Sequence, residues 1–248
     1  MKSHQVTKGY ERSPHRSLLR ASGLLEAEMK QPLIGVVNFF NEIVPGHMGL
    51  GSLTDAVKKG VIMGGGTPLE FPAIAVCDGM AMGHEGMRYS LVSREVITDS
   101  IEIMARAHQL DGLVIIPGCD KTVPAALMAA ARLDLPVVII GSGPMLPGRL
   151  NGKAIDLTTV FEAVGKVAGG HLSDQGLQEI EDHACPTCGS CAGLFTANSM
   201  SCMAEALGMA LPNTATVPAV YSERLRLAKQ SGIAVMKLFE KGITARTL

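Results

Sequence analysis

A strand–turn–helix–strand unit in the middle of the chain restricts the fold more than any other feature of the sequence. Residues 112–117 form a short apolar run rich in β-branched side chains, which is typical of a buried strand. Residues 122–133 are mostly helix formers with Pro124 in the first turn, and residues 136–141 form a second buried strand. Two buried strands joined by a helix predict neighbouring parallel strands. We therefore expect an α/β fold, a three-layer α/β/α sandwich with a largely parallel sheet.

The flanking sequence extends this pattern in both directions. It predicts further strands over 32–40 and 69–76, and helices over 49–63, 93–108, 157–170, 177–183, 198–211 and 222–230. Ser93 is the expected N-cap of its helix, after a glycine-rich loop over 80–91. A second loop is expected over 143–156, which is rich in glycine and proline. The charged residues of the last helix indicate a solvated face; they are Glu223, Arg224, Arg226 and Lys229.

Composition and charge exclude several classes of function. The chain has 248 residues, of which 47% are hydrophobic, enough to bury a substantial core. The net charge of −1 and the lack of a basic cluster argue against a nucleic-acid partner. No apolar run reaches the ~18 residues of a membrane span, so no membrane association is expected. The polar N-terminus lacks the apolar segment of a signal peptide, which predicts a cytoplasmic protein.

The domain organisation expected from these patterns is simple. Residues 1–31 are predicted to form a polar arm with one helix over 17–25, and residues 32–248 form a single α/β domain. The six cysteines cluster in short motifs instead of spreading along the chain. This distribution favours reduced thiols that hold metal over disulfide bonds.

Two of these motifs pair a thiol with a carboxylate after a predicted strand. Cys119, Asp120 and Lys121 follow the first strand of the central unit, where open α/β sheets place their ligands. Cys77 and Asp78 follow the strand over 69–76 in the same way. Thiolates suit iron–sulfur iron and carboxylates suit Mg²⁺, so Asp78 and Asp120 are candidates to share one Mg²⁺. The alternative is a local Asp–Lys pair beside buried thiols that serve only in packing.

A third motif places Cys185, Cys188 and Cys191 at intervals of three residues. This spacing can supply thiolates to zinc or to iron–sulfur iron, and His183 is near enough in sequence to complete a zinc site. The alternative is that only one thiol matters and the others are small packing residues. The motif by itself does not choose between zinc and iron–sulfur.

The longer motifs resemble a known family. The matching segments are 41–47 (NEIVPGH), 78–87 (DGMAMGHEGM), 89–95, 119–125 (CDKTVPA) and 184–200 (ACPTCGSCAGLFTANSM). With these segments the chain resembles the dihydroxy-acid dehydratase / phosphogluconate dehydratase family over nearly its whole length. The resemblance implies an iron–sulfur cluster, either 2Fe–2S or 4Fe–4S, with Cys119 and Cys191 as ligands. It also implies an adjacent Mg²⁺ bound by Asp78, Asp120 and a carbamylated Lys121.

The chain departs from the family pattern in two places. Some members carry a third cluster cysteine where this chain has Gly46, so Cys77 or Cys188 could supply the third thiolate here. Family members are also about twice as long, and their second half is a β-barrel-like domain with a serine base and a further Mg²⁺ carboxylate. We therefore expect this chain to be the N-terminal part of such a protein, with no catalytic base of its own. In full-length form, the expected assembly is a homodimer.

The expected reaction is dehydration of 2,3-dihydroxy-3-methyl acids, such as 2,3-dihydroxyisovalerate, to 2-keto acids in valine, isoleucine and leucine biosynthesis. Within the family the alternative is a sugar-acid dehydratase of the phosphogluconate type. Outside it, the alternatives are a non-catalytic zinc module built on the third cysteine motif and His183, and a redox sensor that uses Cys185 and Cys188.

Overall fold

All four strands of the main sheet run in the same direction. The computed structural model describes residues 1–247. The sheet has the order β2-β1-β3-β4, and every pairing in it is parallel. Its strands are β1 Leu33–Asn38, β2 Thr67–Pro72, β3 Gly112–Ile116 and β4 Val137–Ile139. A separate antiparallel hairpin consists of β5 Gly148–Leu150 and β6 Lys153–Ile155.

Helices cover both faces of the sheet. They are α1 His4–Thr7, α2 Ser13–Ala21, α3 Leu50–Met63, α4 Asp78–Ala81, α5 Met87–Ala107, α6 Thr122–Leu133, α7 Leu157–Ala168, α8 Asp174–Ala184, α9 Thr196–Ala206 and α10 Ser222–Lys241. Two short 3₁₀ helices span Tyr10–Arg12 and Glu28–Lys30. Helices α3 and α10 pack together against the sheet, and α5 packs against α6. The predicted three-layer α/β sandwich with a parallel sheet is confirmed.

The apolar runs of β1 and β3 lie in the centre of the sheet. Every residue of β1 and β3 is buried, because helices cover both faces of these strands. Strand β2 lies at the edge of the sheet and contains Pro68 and Pro72. Proline has no N–H to donate to a neighbouring strand, which an edge strand tolerates because it pairs on one side only. The parallel arrangement brings the carboxyl ends of all four strands to one edge of the sheet.

Several predicted boundaries were wrong. Strand β2 ends at Pro72, not at residue 76, and its last ladder bond runs from the N–H of Ala73 to Asn38 O. Helix α5 begins at Met87 inside the predicted loop, and Ser93 lies within it and donates to Ser90 O at 2.6 Å instead of capping. The predicted loop over 143–156 contains the β5–β6 hairpin, whose turn is Asn151-Gly152 with positive φ angles. That dipeptide is a hairpin signal that the prediction overlooked.

Another error concerns the last helix, which the prediction ended at residue 230. Helix α10 continues to Lys241, because its buried face runs on through Val235 and Met236. Arg224, predicted on a solvated face, is 1% exposed, and its guanidinium donates to the carbonyls of Gly141, Thr214 and Val217. Burial lowers the pKa of this guanidinium to about 10, which leaves it charged at neutral pH.

The N-terminal residues are attached to the sheet by one buried carboxylate. Asp111, just before β3, accepts the N–H of Ser3 at 3.1 Å and the N–H of Leu33 at 2.9 Å. The helix of this segment is α2, which begins and ends four residues earlier than the predicted span over 17–25. None of the helices within residues 1–247 combines the length and the apolar character needed to cross a membrane.

Helices α3 and α10 approach each other through two glycines. A Cβ on Gly60 would overlap the carbonyl oxygen of Lys229, and a Cβ on Gly232 would overlap that of Val57. We expect Gly232→Ala to destabilise the protein by about 1–3 kcal/mol, because the helices must separate to admit the methyl group. Urea unfolding measures the change.

The matched control for this substitution is Gly165→Ala in α7, where the added methyl group meets no atom within 4 Å. Better helix propensity should make the control variant more stable by roughly 0.5–1 kcal/mol. A Gly232→Ala protein as stable as the parent would contradict the close packing of α3 against α10.

Candidate metal centre

A cavity of about 470 Å³ lies at the carboxyl edge of the sheet, and most of the cysteine thiols line it. Five of the six cysteines line it, namely Cys77, Cys119, Cys185, Cys188 and Cys191. The sixth, Cys202, is exposed on α9. The wall also includes the loop after β1, with Pro45 and Gly46. The parallel sheet therefore brings together the segments that the sequence analysis singled out.

Thr122 holds the turn that carries Cys119. Its hydroxyl oxygen accepts the N–H groups of Gly118 and Cys119, at 3.2 and 2.9 Å. The same hydroxyl donates to Cys119 O at 2.9 Å. This threonine is the first residue of α6, so the helix start and the turn are fixed by one side chain. The thiol of Cys119 is consequently buried in a defined place at the cavity wall.

The thiols of Cys119 and Cys77 interact directly. The S–H of Cys119 hydrogen-bonds to the sulfur of Cys77, which lowers the pKa of Cys77 to about 6, with help from the N–H groups of Met80 and Gly79. The same hydrogen bond, together with burial, raises the pKa of Cys119. The pair therefore holds one negative charge more readily than two, which is the expected behaviour of two neighbouring acidic groups.

Cys191 approaches the same point from the cysteine loop. That loop is anchored by backbone hydrogen bonds from Gly189 N to Pro45 O at 3.1 Å and from Ser190 N to Gly143 O at 3.0 Å. Asn198 Nδ2 donates to Cys191 O at 2.6 Å. Burial raises the pKa of Cys191 to about 11, and the charges of Cys77 and Asp120 add to the effect. The thiols of three separate segments thus influence one another electrostatically.

Asp78 and Asp120 lie side by side, with Lys121 beside them. Asp78 is buried, accepts the hydroxyl of Ser90 at 2.5 Å and forms an ion pair with the ammonium of Lys121. Asp120 accepts the N–H of Ala197 at 3.1 Å. Burial and the neighbouring charge of Asp78 raise the pKa of Asp120. Two adjacent carboxylates in a partly buried site form a donor set that suits a divalent cation with oxygen ligands.

The donor set fits a cluster better than a single thiolate-bound ion. Within residues 1–247, no group of three or more His, Cys, Asp or Glu side chains is arranged to hold one metal ion. A tetrahedral zinc site needs four ligands about 2.0–2.3 Å from one point, so the zinc module built on the third cysteine motif and His183 is disfavoured. A cluster distributes its thiolates over different iron atoms, so its cysteines need not converge on one centre.

Neither His47 nor His84 is among the residues that line the cavity. His47 is fully buried, and its Nδ1 bonds to Phe39 O at 2.9 Å. His84 bonds through Nε2 to Met80 O at 2.7 Å, and its Nδ1 accepts the N–H of Gly86 at 3.0 Å. The structure thus gives no reason to place a catalytic base at either position.

Sequence reasoning missed the side chains that hold the site in place. Ser90 orients Asp78, Thr122 orders the Cys119 turn, and Asn198 holds Cys191. Each lies within or beside a motif that was recognised. The sequence spacing of serine, threonine and asparagine does not indicate which hydrogen-bond partner their side chains reach. Only the fold shows which acceptor each one reaches.

Comparison with known proteins gives a consistent result. The family model described as dihydroxy-acid/6-phosphogluconate dehydratase N-terminal matches residues 31–248. A dihydroxy-acid dehydratase of Desulfitobacterium hafniense is 58% identical over 248 residues, which is 100% of this chain and 44% of that protein. One from Caldanaerobacter subterraneus subsp. tengcongensis is 59% identical over 98% of this chain and 44% of its own length.

This chain covers a larger share of a dihydroxy-acid dehydratase of Clostridium pasteurianum. It is 56% identical over 244 residues, which is 98% of this chain and 85% of that sequence. The chain therefore spans less than half the length of two of these relatives and most of the third.

The buried imidazole of His47 predicts a pH-dependent stability. Burial lowers its pKa from 6.5 to about 4, although the hydrogen bond to Phe39 O opposes the shift. Between about pH 4 and pH 6.5, the imidazole is therefore protonated in the unfolded chain but neutral in the folded chain. Stability should be complete above this window and fall as pH decreases through it, by about 3 kcal/mol in total.

Urea unfolding near pH 7 and near pH 4.5 tests this expectation. His47→Gln should lose much of the difference between the two conditions, whereas His108→Gln, on an exposed residue after α5, should keep it. Equal pH dependence in the parent and His47→Gln would show that the imidazole titrates freely.

Proposed function

We propose that this chain, which belongs to the dihydroxy-acid/6-phosphogluconate dehydratase family, carries the metal centre of a hydro-lyase that converts 2,3-dihydroxy acids to 2-keto acids. The observation that carries the proposal is the meeting of three thiols and two carboxylates at one edge of the parallel sheet. The five donors lie within the range that the family model matches.

The substrate class follows from the relatives. Those compared above are named dihydroxy-acid dehydratases, which favours 2,3-dihydroxy-3-methyl acids such as 2,3-dihydroxyisovalerate over sugar acids. We accordingly propose a role in the synthesis of branched-chain amino acids in the cytoplasm. A sugar-acid dehydratase is the second candidate, and a comparison of the two substrate classes with the same preparation separates them.

In this proposal Cys119 and Cys191 hold an iron–sulfur cluster, and Asp78, Asp120 and a carbamylated Lys121 hold Mg²⁺. The two groups, when bound, would supply Lewis acids for a departing hydroxyl and for charge that develops on the substrate carboxylate and 2-hydroxyl. Unmodified Lys121 already bonds to Asp78, so a carbamate at its Nζ would put oxygen donors beside the carboxylate pair in place of a repelling ammonium.

The other residues of the site position these donors. Ser90 holds one oxygen of Asp78 and Lys121 holds the other, while the N–H of Ala197 holds one oxygen of Asp120. Because neither His47 nor His84 lines the cavity, we assign the proton-abstracting base to neither of them. Preorganised ligands of this kind reduce the cost of ordering the site when metal binds.

The cluster assignment predicts that Cys119→Ala and Cys191→Ala each lose iron. Each substitution removes a thiolate ligand, so we expect at least about a tenfold weaker hold on the cluster. The 248-residue chain would be reconstituted anaerobically with iron and sulfide, and bound iron, sulfide and visible absorbance measured after desalting. Cys202→Ala, on the exposed thiol outside the cavity, is the matched control. Full iron in both ligand variants would refute the assignment.

The Mg²⁺ assignment predicts a separate loss. Asp78→Asn keeps the shape of the side chain but removes its charge, so affinity for a divalent cation should fall by roughly tenfold or more while cluster iron stays. Binding of Mn²⁺, followed by electron paramagnetic resonance in the presence of bicarbonate, measures this loss. Asp55→Asn, on an exposed aspartate of α3, should bind like the parent. Unchanged Mn²⁺ binding in Asp78→Asn would show that the carboxylate pair is not the cation site.

A further inference from the structure

We infer that Cys77 is the third thiolate of the cluster, bound together with Cys119 and Cys191. This inference rests on the proposed function, since it assumes that the cavity holds an iron–sulfur cluster. Clusters of this kind are held by several cysteine thiolates, and two ligands leave the set incomplete. The candidates among the thiols at the cavity wall are Cys77, Cys185 and Cys188.

Contacts single out Cys77. Cys77 lines the same cavity as Cys119 and Cys191, and it lies near enough to both for their thiols to interact. These three thiols come from three independent segments: the residues before α4, the turn after β3 and the cysteine loop. Backbone N–H groups of Gly79 and Met80 point at the Cys77 sulfur and hold it in place. Cys77 is thus the thiol that faces both assigned ligands.

The two rival thiols also line the cavity but have different neighbours. Cys188 faces α3, where its sulfur is 3.6 Å from the position that a Cβ on Gly49 would occupy. It also lines a second, smaller cavity of about 30 Å³ together with Arg224. Cys185 is exposed, and it interacts electrostatically with Cys191 and with Asp156, which is outside the carboxylate pair. The side chains that act on the Cys119 thiol are those of Cys77 and Asp120.

The loop after β1 cannot provide the missing ligand either. Gly46 lies with its backbone against Gly118, and a Cβ at position 46 would overlap the carbonyl oxygen of Gly118. The reverse approach is equally close, since a Cβ on Gly118 would lie 2.6 Å from Gly46 O. Backbone therefore occupies the space through which a side chain at position 46 would enter the cavity, and the thiolate must come from elsewhere.

The test compares single alanine variants of the 248-residue chain after anaerobic reconstitution with iron and sulfide. We expect Cys77→Ala to retain at least about tenfold less cluster after desalting, as for the other two ligands, because alanine offers no donor atom. Cys185→Ala and Cys188→Ala should retain iron, sulfide and visible absorbance like the parent. Far-UV circular dichroism of each variant checks that the fold is kept.

A second measurement needs no substitution. Alkylation of the parent chain with iodoacetamide, read by mass spectrometry, should show that Cys77, Cys119 and Cys191 become protected when the cluster is loaded. Cys185 should remain reactive in the loaded protein because it is exposed. Retained cluster in Cys77→Ala, or alkylation of Cys77 in the loaded parent, would overturn the inference while leaving the cluster itself intact. A parent chain that takes up no cluster would instead overturn the proposed function, and this inference with it.

Discussion

Parallel pairing of β1 with both β2 and β3 is the constraint on which the candidate site depends. The register places Asn38 opposite Pro72 on one side and opposite Ile116 on the other, so the three strands end at the same level. The loops that follow them must leave from one edge of the sheet. The backbone hydrogen bonds of the sheet therefore bring thiols and carboxylates that are far apart in sequence to one cavity, independently of the contacts among those side chains.

The site concentrates groups that would repel one another if all were ionised. Asp78 and Asp120 are neighbours, Cys77 and Cys119 share a hydrogen bond, and Lys121 is the cation beside them. Burial increases the cost of each negative charge, which is visible in the raised pKa values of Asp120 and Cys191. Cations bound among these groups would remove that cost.

A buried arginine connects the core helices to the cysteine loop. Arg224, at the start of α10, donates to Val217 O and to Gly141 O, two residues before Gly143, whose carbonyl accepts the N–H of Ser190. Because α10 is itself packed closely against α3 through Gly60 and Gly232, the loop that carries Cys191 is fixed to the rigid part of the domain. A guanidinium can satisfy several carbonyls at once, which suits a junction where irregular backbone is buried.

The sequence by itself determined the α/β class, the parallel sheet and the motifs that carry the donors, because buried apolar runs and helix-forming segments alternate with clear periods. It did not determine which thiols meet. Four residues lie between Pro72, the end of β2, and Cys77. Their backbone conformation brings Cys77 to Cys119, and no sequence periodicity encodes it. The contact of Gly46 with Gly118 and the burial of Arg224 were likewise decided by the tertiary structure. Each depends on how closely two distant backbone segments approach, and that distance is set only when the whole core is packed.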